Sequence, residues 1–191
     1  MLAAATSENP EDKASPTIVG EIVKSNLPAE DKTFNRVLSD VLTVTGAGFE
    51  TTASVLRLLI YHIYTRPSIL KRPREEISSV STDRHADIEL RTLEQLPYLT
   101  AVIMEAMRLS PALGTRLQRV APDRDLIYDK WVIPAGTPVG MTALFMHMDE
   151  KLYPSPESFD PERWVDVESR KRAEKVYAPF SRGSRICLGM Q

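Results

Sequence analysis

Between Asp31 and Tyr64 the chain contains no proline, although Pro28 lies just before that stretch and Arg66-Pro67 closes it. Proline is excluded from helix interiors and drives the residue before it out of the helical region, so these signals bracket one long helix, read at residues 31–65. At 1.5 Å per residue it spans roughly 50 Å, the width of a whole domain. From Val41 to Ala53 it is apolar on most sides. A helix of that kind is expected to run through the interior of a body larger than itself.

The rest of the chain supplies smaller elements. Residues 1–30 are rich in Ala, Ser, Glu, Asp and Pro and read as a loosely held lead-in, with one helical turn expected around Ile18 to Val23. Helices are expected across 67–110: one following Pro67, then a polar loop, then a strong helix from about Leu93 to Leu109 that stops at Ser110-Pro111. Pro73 falls inside the first of these, where a proline costs about 3 kcal/mol unless it begins a new helical segment. The runs LQRV, LIY, WVIPAG and TPVGMTAL read as small strands over 115–145. Beyond Met146 the chain is proline-rich and irregular until the loop that holds its one cysteine. The fold class is therefore mainly α with small β-sheets.

Composition excludes several functions. A chain of 191 residues that is 42% hydrophobic has material for a core. A formal net charge of −2 offers no whole-chain field for nucleic acid, and Arg170, Lys171 and Arg172 read as a solvated helical turn. The longest apolar run, Val41 to Tyr64, carries Glu50 and Arg57, each costing a few kcal/mol in a bilayer, so no span is expected. Met1 to Thr6 is too short and lacks the basic leader of a cleavable signal.

The one cysteine, Cys187, sits in PFSRGSRICLGMQ between Gly183 and Gly189, with Ile186 and Leu188 beside it and Arg185 two residues before. It cannot form an internal disulfide. A phosphatase-type nucleophile wants an arginine-bearing phosphate cradle after the cysteine, and only Leu-Gly-Met-Gln remains. A redox or protease nucleophile wants an activating histidine, and His62, His85 and His147 show no partner motif. A thiolate ligand to a single iron fits best, its sulfur shielded by apolar neighbours and an arginine at hand for an anionic cofactor edge.

Two further groupings stand out. In TGAGFETTAS, the small pair Ala47-Gly48 precedes Glu50-Thr51, so a flat cofactor can approach the helix backbone beside an acid and a hydroxyl. A helical threonine bonds the carbonyl one turn back or releases it, and with a carboxylate it makes a proton relay. The other reading is a glycine-kinked core helix with Glu50 paired to Arg57. In EAMR, Glu105 and Arg108 share a helix face, and Arg163 of FDPERW can bring a second guanidinium to the same carboxylate.

These residues together resemble the cytochrome P-450 family. Its cysteine-loop pattern, Phe-x-x-Gly-x-Arg-x-Cys-x-Gly, is met at Phe180, Gly183, Arg185, Cys187 and Gly189. Its Ala/Gly-Gly-x-Asp/Glu-Thr-Thr/Ser pattern is met from Ala47 to Thr52, and Glu-x-x-Arg with Pro-Glu-Arg at Glu105, Arg108 and Arg163. The resemblance implies haem b, iron protoporphyrin IX, with Cys187 as axial thiolate and metal ligand, Arg185 on a propionate and Phe180 near the sulfur. It implies Glu50 and Thr51 as the proton-supplying catalytic pair. It makes Glu105, Arg108 and Arg163 a buried structural triad. Arg119, with Arg116 as competitor, is placed at a second propionate, Leu113 to Thr115 over the haem, and His147 in a structural stretch.

The same resemblance implies a monooxygenase of secondary metabolism that oxidises a small hydrophobic organic substrate with dioxygen. Electrons come from NADPH through cytochrome P-450 reductase. Full-length microsomal relatives lie at the endoplasmic reticulum membrane, and no anchor is read in this chain. The resemblance covers residues 31–191 as a partial haem domain: long helix 31–65, helices 67–110, small strands 115–145, and meander with cysteine loop 147–191. Members are more than twice as long, so the chain is expected to be a carboxy-terminal piece truncated at both ends. Association with the membrane would come only through a missing amino-terminal part. The second expectation is a non-catalytic truncated product, or an interaction partner without a working haem pocket.

Overall fold

Where the chain has a local reason to be helical, it is. The computed structural model describes residues 17–81, 87–110 and 113–190; most of the lead-in, residues 82–86 with His85, and Pro111 lie outside them. By contacts the chain divides into two units, residues 1–51 and 52–191.

In the first unit, α1 (Ile18–Lys24) starts at Thr17, whose hydroxyl accepts the Gly20 N–H at 3.1 Å. Its open C-terminal end is met by the Lys32 ammonium, which donates to the carbonyls of Val23 and Ser25. A cation there complements the negative end of the helix dipole. Lys32 closes a 3-10 turn, Ala29–Lys32, just after Pro28. Helix α2, Phe34–Thr65, begins in this unit and ends in the second.

In the second unit, α3 (Pro67–Val80) takes Pro67 at its first turn, where a missing N–H costs nothing. It then runs through Pro73 without a break, so the residue neither ends the helix nor starts a new one; Pro73 is buried. The strong helix expected from Leu93 is two helices, α4 (Leu90–Glu94) and α5 (Pro97–Leu109). The break belongs to Leu96, forced into extended conformation by Pro97. The start of α5 has no side-chain cap of its own. Glu76 of α3 supplies one from a distance, its two carboxylate oxygens accepting the Tyr98 and Leu99 N–H groups at 2.8 Å each. Arg72, one turn earlier, lies 3.7 Å over the Tyr98 ring and pairs with Glu162.

Of the expected strands, LIY and WVI form one antiparallel hairpin, β1 (Leu126–Tyr128) with β2 (Trp131–Ile133), in the register Ile127 opposite Val132. LQRV and TPVGMTAL meet only at a single bridge, Arg119 to Val139. The end of TPVGMTAL, read as strand, is instead the start of helix α6 (Ala143–His147), which Thr142 caps through its hydroxyl, and the segment read as irregular carries two short helices, α7 (Glu162–Val165) and α8 (Val167–Glu174). Asp166 starts α8 by accepting the Ser169 N–H at 2.8 Å, which lowers its carboxyl pKa. The basic turn there is solvated and paired within its own helix, Arg170 to Glu174 and Lys171 to Glu168.

The core is built on α5, not on the long helix. Val102, Ala106 and Leu109 pack with Ile69, Tyr98 and Phe159, and Val55, Leu58, Leu59 and Ile63 of α2 lean on that cluster. Ala101, on another face of α5, joins Tyr153, Trp164 and Ala173 in a second cluster. Helix α2 buries only Val37 fully, while Leu42, Phe49, Leu56 and Ile60 are exposed. Much of the long helix thus stays exposed among the described residues, which do not supply the larger body expected around it.

Candidate functional site

Two charged residues lie at the centre of the apolar core of the second unit. Glu105 and Arg108, three residues apart on α5, are both 0% exposed. Arg108 grips both carboxylate oxygens, Nε to Oε2 at 2.9 Å and Nη2 to Oε1 at 2.8 Å. Burying such a pair is tolerable only when the remaining donors and acceptors are met. They are. Glu105 also accepts the Trp164 indole N–H at 2.9 Å, the Asp160 N–H at 2.9 Å and Arg163 Nε at 3.3 Å. Arg108 donates outward to the carbonyls of His147, at 2.7 Å, and Ser158, at 3.2 Å. Glu105, Arg108 and Arg163 are thus brought together, and with them three segments of the chain.

From His147 the structure continues to the cysteine loop. Its Nε2 accepts the Ala178 N–H at 3.1 Å, and its ring stacks 5.7 Å from Tyr177 and edge-on to Tyr153. Burial, and then the neighbouring Arg108 charge, push the imidazole pKa down to about 4. Burial likewise raises Tyr153 to about 12 and raises Tyr177 further. Tyr153 donates to Ala173 O at 3.0 Å and Tyr177 to Met104 O at 3.2 Å, so both stay neutral donors. Arg182 ties down the same corner through the carbonyls of Glu174 and Tyr177.

The loop itself is short and tightly wound. Ser181 N–H bonds Ala178 O at 3.1 Å, and Cys187 N–H bonds Phe180 O at 2.9 Å. Ser181 and Gly183 adopt φ of 64° and 81°; at the second the sequence has the residue that takes left-handed backbone without strain. Arg185 ends a 3-10 turn, Gly183–Arg185, and is exposed. The Cys187 thiol is free and exposed, and Phe180, Ile186 and Leu188 around it present apolar surface outward.

In the first unit, Ala47, Gly48 and Glu50 lie on an exposed stretch of α2. A side chain added at Gly48 would meet nothing within 4 Å. Thr51 donates its hydroxyl to Ala47 O at 2.8 Å, the one-turn-back bond. Arg119 turns its guanidinium back on its own segment, to Leu117 O at 2.8 Å and Gln118 O at 3.1 Å. Beside it an open cleft of 490 Å³ is lined by Gly114, Thr115, Arg116, Leu117 and Gln118.

Comparison with known proteins settles the family, because the cytochrome P-450 profile matches residues 9–191. The chain belongs to the cytochrome P-450 family. It is 41% identical over 175 residues to a cytochrome P-450 monooxygenase of Ascocoryne sarcoides, covering 91% of this chain and 34% of that relative. It is 43% identical over 185 residues to the fusicoccadiene C-8 hydroxylase of Phomopsis amygdali, covering 96% and 35%. With the tryptophan 6-hydroxylase of Fusarium equiseti the identity is 43% over 170 residues, covering 88% and 33%. The chain spans about a third of the length of these curated relatives.

The donor chemistry of this cytochrome P-450 chain fits the family's haem. One sulfur stands open to ligation, and the apolar groups around it are exposed. Sequence reasoning missed Trp164 as a partner of Glu105, His147 as a partner of Ala178 and Glu76 as a remote cap. The indole was readable in FDPERW beside Arg163; the other two left no local signal.

Proposed function

We propose that the chain is the cysteine-bearing part of a haem-dependent monooxygenase that hydroxylates or otherwise oxidises a small hydrophobic organic molecule. Membership of a family whose relatives include named hydroxylases supports the reaction class. The observation that carries it is the exposed Cys187 thiol, its own N–H bonded to Phe180 O at 2.9 Å, in a loop matching the family pattern at every fixed position.

Bound haem would supply the oxidising chemistry, activating dioxygen with electrons from NADPH through a reductase. The chain's own residues do the rest. Cys187 provides the thiolate, and the bond from its N–H to Phe180 O holds the main chain that carries it. Phe180 gives that sulfur an apolar neighbour, Gly183 lets the loop turn, and Arg185 with Arg119 neutralises the propionates. Ala47 and Gly48 keep one surface of α2 low enough for a ring to lie against it. Glu50 and Thr51 hold and pass protons: the Thr51 hydroxyl, now on Ala47 O, can release it and turn toward a water. Glu105, Arg108 and Arg163 keep the loop's foundation rigid. By the same proposal the longer relatives work at the endoplasmic reticulum membrane; among the described residues no helix is long and apolar enough to cross one.

The test is spectroscopic. Loaded with haem, reduced and exposed to carbon monoxide, the chain is expected to give a thiolate-type Soret band that Cys187→Ser abolishes. A band that persists in the serine variant overturns the assignment of Cys187. No band in the parent chain favours a non-catalytic product instead.

A further inference from the structure

One buried histidine links two parts of the molecule that the proposed chemistry needs to hold in register. His147 is 2% exposed at the end of α6, and its hydrogen bonds join two separate segments. Its carbonyl accepts Arg108 Nη1 at 2.7 Å, and its imidazole Nε2 accepts the Ala178 N–H at 3.1 Å. Ala178 in turn accepts the Ser181 N–H, and Phe180 O accepts the Cys187 N–H. A continuous hydrogen-bonded path thus runs from the Glu105–Arg108 pair to the base of the cysteine loop, with a titratable side chain as its middle link.

We infer that His147 is a positioning residue for Cys187, the acceptor that holds the root of the cysteine loop on the buried ion pair. At the loop end of this path the acceptor is the imidazole, which loses its accepting lone pair when it takes up a proton. Nε2 accepts only when the ring is neutral and its proton is on Nδ1. The groups facing the ring all bear on this. Arg108 of α5 opposes a second positive charge, Glu105 favours one, and Tyr153 and Tyr177, both with raised pKa, stay neutral beside it. Their balance keeps the imidazole neutral across ordinary pH. In acid the ring becomes a donor facing a donor at Ala178, and the loop detaches while α5 remains packed.

The inference rests on the reading of Cys187 as haem ligand, and its test uses the haem-free 191-residue chain so that the two fail separately. Amide hydrogen exchange is measured for residues 177–188 and for α5 in the parent, His147→Phe and His147→Gln, with intrinsic rates corrected for pH. The phenyl ring fills the space without accepting; the glutamine amide restores an oxygen near the Nε2 position. Exchange in the loop is expected to rise about tenfold or more in His147→Phe and to return toward the parent in His147→Gln, with α5 unchanged. The parent should show the same rise in acid, in step with the titration of its His147 ring protons seen by NMR. Equal loop protection in the parent and His147→Phe, or equal loss from loop and α5, overturns the inference. If His147→Phe does not fold, the parent titration decides: a loop that stays protected after the imidazole has protonated overturns it. A serine-sensitive Soret band alongside a His147-independent loop would leave the assignment of Cys187 standing without this one.

Discussion

Trp164 and Arg108 meet the same carboxylate from two directions: the indole N–H reaches Glu105 Oε2 at 2.9 Å, the oxygen that also takes Arg108 Nε at 2.9 Å. A tryptophan from α7 therefore completes an ion pair made wholly within α5. Its ring also lies 4.8 Å from Tyr177, so one side chain joins the charged centre to the aromatic wall beneath the cysteine loop.

Partners of this carboxylate should rank by burial and geometry. Arg108→Ala strands a fully buried charge and is expected to cost about 3–5 kcal/mol. Trp164→Phe keeps most of the packing and loses one donor, at about 1–2 kcal/mol. Arg163, partly exposed and at 3.3 Å, should cost about 1 kcal/mol on truncation to alanine. Urea unfolding of the three variants checks the order; an Arg163→Ala loss as large as that of Arg108→Ala would refute it.

Stability should depend on pH through His147. Unfolded, its imidazole takes a proton near pH 6.5; folded, it resists until about 4. Between those values the unfolded state binds more protons, so stability falls as pH falls through that window and levels off below it. At about 1.4 kcal/mol per pH unit, the loss attributable to this residue is up to about 3 kcal/mol. The urea midpoint measured from pH 7 to pH 4 should slope less in His147→Gln than in the parent.

Glu76 should behave as the cap of a helix to which it does not belong. Glu76→Ala leaves the Tyr98 and Leu99 N–H groups without their acceptors and is expected to cost about 1–2 kcal/mol. The first turn of α5 should lose exchange protection first. Glu76→Gln, which retains a single acceptor oxygen, should recover part of the loss; full protection in Glu76→Ala would rule the cap out.

Features whose causes sit within a few residues were legible in the sequence. Prolines at 28 and 67 frame α2 closely, and the spacing of Glu105 and Arg108 puts them on one helix face. The thiol's neighbours in PFSRGSRICLG are also its neighbours in space. What escaped depends on distance. Apolar pattern marked α2 as a helix suited to burial, but nothing in it showed that the core of this chain gathers on α5. Leu96-Pro97 splits a pattern that periodicity had run together. Ala178 lies 31 residues from His147, and nothing local to either predicts their bond.

Arg108 makes both of its outward bonds to main-chain carbonyls, and Glu105 takes one of its own from a main-chain amide. A lock that reads backbone is indifferent to the identity of the residue presenting it. The exposed Ser158 side chain can therefore drift to many others without loosening the grip, whereas a proline at 160, which removes the amide, undoes it. Mutational tolerance in this stretch should thus track the direction of its peptide groups more closely than the chemistry of its side chains.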